Sequence, residues 1–153
     1  MKKRNTYFLI LIGSMILTSC NRDYSISSFD LAFTNWYGSE GFMLKYVIDK
    51  DSVRIHYDCD FENCKDTIIY NRKLSKKETY NFYEKLKELR TDTLKKFYIG
   101  EYLHGRQVLE ISGDSLESKK VILMSGYYHP VLEKLTIEID KLLQNEKYLI
   151  NRR

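Results

Sequence analysis

The chain has 153 residues, a formal net charge of +4, one proline and seven glycines. That suits a single domain around one core and argues against a long linker or low-complexity segment. Three of the net charges are Lys2, Lys3 and Arg4, ahead of the first acid at Asp23, so the rest of the chain carries +1. A nearly neutral domain has no electrostatic footprint for nucleic acid and no charged block of the kind that forms an interaction tail.

The first element is the basic start followed by Tyr7 to Leu17, apolar except for Gly13 and Ser14. A membrane-spanning helix needs about 20 apolar residues, so this run is too short to span and fits the apolar region of a secretory signal peptide over 1–19. Leu17-Thr18-Ser19-Cys20 follows: an aliphatic residue, two small residues, then cysteine. It resembles the lipobox of bacterial lipoproteins. The resemblance implies cleavage before Cys20 and a lipid anchor on Cys20, with fatty acyl chains such as palmitate. One acyl chain holds only marginally, so stable anchoring takes two or more.

Residues 20–28 read as the lipidated cysteine and a short polar tether, and residues 29–150 as the domain. Phe29, Leu31 and Phe33 alternate with polar or small residues, which predicts a strand ending in a turn at Trp36-Tyr37-Gly38-Ser39. Phe42, Leu44, Tyr46 and Ile48 predict a second strand. Val53, Ile55 and Tyr57 predict a third, with Arg54 and His56 on its opposite face. A loop from Asp58 to Lys65 leads to a β-branched and aromatic run at Thr67 to Tyr70. Ser75-Lys76-Lys77-Glu78 is a capping box, and Phe82, Leu86 and Leu89 then give a helix one apolar stripe. Strands are expected over 97–103, through Val108, Leu109 and Ile111, and from Val121 to Met124, with a turn at Gly113-Asp114. Pro130 suits a helix start, and Leu132, Leu135, Ile139 and Leu142 form that helix's buried stripe. Residues from Ile150 onward are expected to fray. Strands in runs rather than in one-for-one alternation with helices predict an α+β domain: an antiparallel sheet of about six strands with two helices on one face. That layout generally resembles small lipoproteins of the Bacteroidota.

The densest polar cluster is Asp58-Cys59-Asp60-Phe61-Glu62-Asn63-Cys64. An exported chain with two remaining cysteines at short spacing reads first as a Cys59–Cys64 disulfide, worth about 2 kcal/mol for so small a ring. Calcium at Asp58, Asp60 and Glu62 is a weaker reading, because an EF-hand-type loop would put Gly and Glu where Asn63 and Ile69 stand. A thiolate metal site with His56 lacks a second cysteine pair, and a solvated loop with free thiols is the remaining reading. His56, His104 and His129 form no His-Glu-x-x-His motif, and structural roles are expected for all three. No nucleophile elbow or phosphate-cradling loop occurs, and Glu40 and Glu101 are isolated acids. No cofactor is implied.

Aromatics are the surplus. All but one of the 13 tyrosines lie beyond the signal segment, and Trp36-Tyr37 and Tyr127-Tyr128 sit at element ends where side chains reach solvent. Such residues supply contact area at low entropic cost, so Trp36, Tyr37, Tyr127 and Tyr128 are the candidate binding surface. The expectation is a membrane-anchored envelope module that binds a protein, peptide or glycan, in one version an immunity or inhibitor protein. The alternative is a hydrolase-like envelope enzyme with a site assembled from separated residues such as Asp58, Asp60 or a histidine. Asn21 after Cys20, where an Asp would favour inner-membrane retention, together with the lack of an acidic run there, points to the periplasmic face of the outer membrane.

Overall fold

The computed structural model describes residues 25–38, 40–59, 65–99, 105–124 and 127–151. The elements are β1 (Phe29–Tyr37), β2 (Phe42–Asp49), β3 (Ser52–Cys59), β4 (Thr67–Lys73), α1 (Lys76–Glu88), β5 (Phe97–Tyr98), β6 (Gly105–Gly113), β7 (Leu116–Met124) and α2 (Pro130–Leu142). The seven strands form one sheet in the order β4-β3-β2-β1-β6-β7-β5. The domain is α+β with two helices, as the patterning predicts, and carries seven strands where about six are expected. All neighbours pair antiparallel except β5, whose two residues lie parallel to β7 beside Ile122 and Leu123.

Alternation places the core. Phe29, Leu31 and Phe33 of the central strand are buried, while Asp30 between them is exposed. Leu31 pairs with Ile48 on one side and Ile111 on the other, and Phe33 with Tyr46 and Leu109, so the inward rows are continuous across the sheet. Both helices lie on this face. Phe82 and Tyr83 of α1 pack their rings on Phe29 at 6.1 and 5.5 Å between centroids. Leu132, Leu135, Ile139 and Leu142 of α2 join the same core. The opposite face of the sheet carries no second layer among the described residues.

Two boundaries differ from the sequence expectation. Trp36 and Tyr37 are not in a turn: β1 runs through Tyr37, which pairs with both Phe42 and Gly105. The turn falls one residue later, where the Glu40 and Gly41 amides donate to the Tyr37 carbonyl and Gly41 takes a left-handed φ of 68°. The strand expected over 97–103 is confined to Phe97–Tyr98 among the described residues.

The two ends of the chain are also held. Residues 25–28 do more than tether: Ile26 packs against the core, and the Ser28 amide and hydroxyl donate to the Asp114 carboxylate at 3.3 and 2.8 Å. Gly113 permits this contact, because a Cβ there would lie 2.6 Å from the Ser28 carbonyl oxygen. The chain thus enters the domain at the β6–β7 turn. At the other terminus, Ile150 and Asn151 do not fray. Their amides donate to the two Asp140 carboxylate oxygens at 2.7 and 3.0 Å, tying the tail back onto α2.

Candidate functional site

The inward rows change character toward the end of the sheet farthest from the entry point. Along β1 the inward positions run Phe29, Leu31, Phe33 and then Asn35; along β6 they run Ile111, Leu109 and then Gln107. Asn35 and Gln107 are direct cross-strand partners. Two carboxamides therefore sit side by side where the hydrophobic floor ends. Above them is an open cavity of about 310 Å³, at the small end of the range for ligand pockets. Leu123 completes the floor, and the first two turns of α2 and the tied-back tail residues Ile150 and Asn151 form the walls.

The helix start supplies the rim. His129 is the N-cap of α2: its Nδ1 accepts the Val131 amide at 3.3 Å, and Pro130 follows at a position where its missing N–H costs nothing. This bond fixes His129 Nδ1 as an acceptor. Tyr98 is buried and packs against both Tyr127, at 4.8 Å between ring centroids, and His129, at 5.2 Å. Tyr128 is 66% exposed, yet its hydroxyl donates to the Glu133 carboxylate one turn into α2. That hydrogen bond, with burial and the Glu133 charge adding to it, raises the Tyr128 phenol above the ordinary tyrosine value. On the opposite wall, Asn151 donates to the Thr136 hydroxyl at 2.9 Å and to Asp140 at 2.9 Å, so its carboxamide is oriented as well.

A second open cavity of about 360 Å³ lies beside the first and shares Ile150 with it. Tyr37, Phe42, Leu44 and Tyr46 line its sheet side, and Lys147 and Leu149 its tail side. Tyr37 stacks on Phe42 at 4.8 Å, and Phe42 on Tyr57 at 5.6 Å. The Asn35 amide donates to the Tyr37 hydroxyl at 2.8 Å, which joins the two cavities at their common edge. Together they form a trough crossing the strand ends from β2 to β7. With neighbouring strands about 4.8 Å apart, its three strand intervals span roughly 14 Å.

The candidate surface from the sequence is divided by this geometry. Tyr37, Tyr127 and Tyr128 line the trough. Trp36 alternates to the open face of the sheet, where the Arg106 guanidinium lies 4.9 Å from its ring. His56 and Asp58 also point to that open face, being out of phase with buried Val53 and Ile55. They therefore share one face of β3 with each other and lie on the other side of the sheet from His129. Cys59 ends β3 opposite Phe42. Cys20, Asp60, Glu62, Cys64, Glu101 and His104 lie outside the described residues, and Glu40 is an exposed turn residue. Among the described residues no group of three or more His, Cys, Asp or Glu side chains is placed to hold a metal ion, and no helix is long and apolar enough to cross a membrane.

Asn35, Gln107 and Asn151 are the site residues that motif reading passes over. Their signal is a single polar residue at the next inward position of an apolar alternation, visible at Asn35 and Gln107. Asn151 has no such signal, because its place depends on Asp140. No protein-family model matches the chain, and no curated protein matches it.

Proposed function

We propose that this chain is a lipid-anchored binding protein of the bacterial envelope that holds a ligand in the trough at the far end of its sheet. The observation that carries the reading is the convergence of oriented carboxamides and pinned aromatic rings on one concavity. Asn35 is paired with the Tyr37 hydroxyl, whereas burial at inward positions otherwise favours apolar side chains, as at Phe33 and Leu109. A concave site favours a small or linear ligand over an inhibitor's mode of action, which inserts a protruding loop into a partner's cleft. The lipobox at Leu17-Thr18-Ser19-Cys20 supports the anchor, and outer-membrane sorting with a periplasmic face remains part of the proposal. So does the Cys59–Cys64 bridge, which is supported by the short spacing of the two cysteines that remain once Cys20 carries lipid.

Site-specific photocrosslinking in cells tests this reading. A photoreactive residue at Tyr127 is expected to give adducts that fractionate with membranes, while one at Asn71 on edge strand β4 gives none. Cys20→Ala is expected to abolish lipid labelling and release the chain from the membrane fraction. Equal adducts at both positions, or unchanged labelling in Cys20→Ala, would contradict it.

One observation favours the enzyme alternative: His129, Glu133 and Tyr128 line the same cavity. Against it, His129 Nδ1 is committed to the helix cap and the Glu133 carboxylate to the Tyr128 hydroxyl. Turnover of a bound ligand, lost in Glu133→Gln, would support hydrolysis over simple binding.

A further inference from the structure

We propose that the trough recognises an oligosaccharide, a class of ligand that deepens the binding reading above and rests on it. Sugar hydroxyls both donate and accept, and a carboxamide is a side chain that does the same with fixed geometry. Asn35 and Gln107 present two of these side by side on adjacent strands. The faces of a sugar ring are different: they are lined with C–H groups that carry slight positive charge. Such a face packs on the electron-rich face of an aromatic ring. Tyr128 offers that platform in an unusual state, two-thirds exposed yet held at its hydroxyl end by Glu133. A ring already fixed in place loses little freedom on binding, which is the condition for a preorganised contact. The trough then continues past Ile150 to Tyr37 and Phe42, so a chain of several rings has a path rather than a single pocket.

Other ligand classes fit less well. An anionic ligand would want cations, and among the described residues the cavity under Tyr128 is lined by the Glu133 carboxylate and by no Lys or Arg. A lipid chain would meet carboxamides in the floor. An extended peptide needs partners for its own N–H and C=O groups. The trough crosses strands whose backbone is already paired, as Tyr37 is with Phe42 and Gly105, so it has no sheet edge to extend.

The test is calorimetric titration of the purified full-length chain in detergent. The probes are cellotetraose, maltotetraose and the tetramer of N-acetylglucosamine, beside an uncharged extended octapeptide. At least one tetrasaccharide is expected to bind in the micromolar to millimolar range. Tyr128→Ala is expected to weaken it about tenfold, the loss of one stacking contact, and Gln107→Ala by a similar factor. Met43→Ala, on the open face, is expected to leave it unchanged. Tyr128 is exposed, so its truncation leaves the core intact and the loss reports on contact rather than on folding. Binding of the peptide alone, lost in Tyr128→Ala, would overturn the oligosaccharide and keep the binding reading. Binding of neither up to about 10 mM would overturn both. Tetrasaccharide binding insensitive to Tyr128→Ala and Gln107→Ala would overturn the assignment of the site.

Discussion

Tyr128 and Glu133 are one unit at the scale of single residues. An exposed tyrosine ordinarily samples several rotamers, and the bond to Glu133 removes that freedom at the rim of the trough. The same bond has a spectroscopic signature. Because the carboxylate accepts a hydrogen bond from the phenol and its negative charge opposes a phenolate, Tyr128 holds its proton above the ordinary tyrosine range. The sign of the linkage follows. A raised acid contributes stability below the unfolded tyrosine value and loses it as pH rises through the folded value. At a side chain two-thirds exposed this contribution to stability is small, so the titration itself is the better measurement. Ultraviolet titration is expected to show one phenol moving to lower pH in Glu133→Ala, because Tyr128 loses the bond that raises it. A titration curve identical in the two proteins would mean that the pair does not form in solution.

At the scale of elements, α1 shows how far local sequence reaches. Ser75 accepts the Glu78 amide at 3.3 Å, and the Glu78 carboxylate accepts the Ser75 amide and hydroxyl, both at 2.8 Å. The capping box read from four residues is therefore formed, with Arg72 pairing Glu78 from β4 at 3.0 Å. The Ser75 backbone and hydroxyl bonds, with Arg72, hold the Glu78 carboxyl below its ordinary value against the opposing effect of burial. A depressed acid contributes stability above its unfolded value and loses it as pH falls through the folded one. Ser75→Ala is expected to cost about 1 kcal/mol near neutral pH. It should also flatten the loss of stability on acidification below the ordinary Glu78 value of 4.5. Urea unfolding of both proteins across that range measures it, and parallel pH profiles would remove Glu78 from the account.

The rest of the fold divides by the same criterion. The alternations at Phe29, Phe42 and Val53 gave both the strands and their inward faces, because period two is a local property. β5 is legible as a strand but not in its extent, since its two residues are a strand only where they lie against Ile122 and Leu123 across a crossover. The tail was misjudged for a related reason. Asp140, an ordinary surface acid in the helix pattern, binds the amides of residues ten and eleven positions later. The site itself was half legible. Tyr37, Tyr127 and Tyr128 stood out as aromatics at element ends, but the face each strand residue takes separates Tyr37 from Trp36. Only assigned faces show that Asn35 and Gln107 meet.

At the scale of the whole molecule, the position of the trough relative to the entry point carries a consequence for a lipid-anchored chain. Residues 25–28 dock at the β6–β7 turn through Asp114 and Ser115, so the proposed anchor on Cys20 would set this end of the domain nearest the membrane. β1 then runs nine residues away from that end before reaching Tyr37. At about 3.3 Å per residue, the strand sets the trough at Asn35 and Tyr37 roughly 20 to 26 Å from the entry point. Under the proposed anchor, a short tether would not confine the ligand to the headgroup layer, since the sheet itself would be the spacer and its far end would face the aqueous space. A fluorophore attached at Ser115, in lipidated protein reconstituted into vesicles, is expected to transfer energy strongly to acceptor lipids. One attached at Tyr127 should transfer far less. The two transfers must also respond differently when the tether is lengthened, because added residues after Cys20 release the near end proportionally more than the far one. Equal transfer at both positions would mean that the sheet lies flat on the bilayer, and the trough would then open along the membrane rather than away from it.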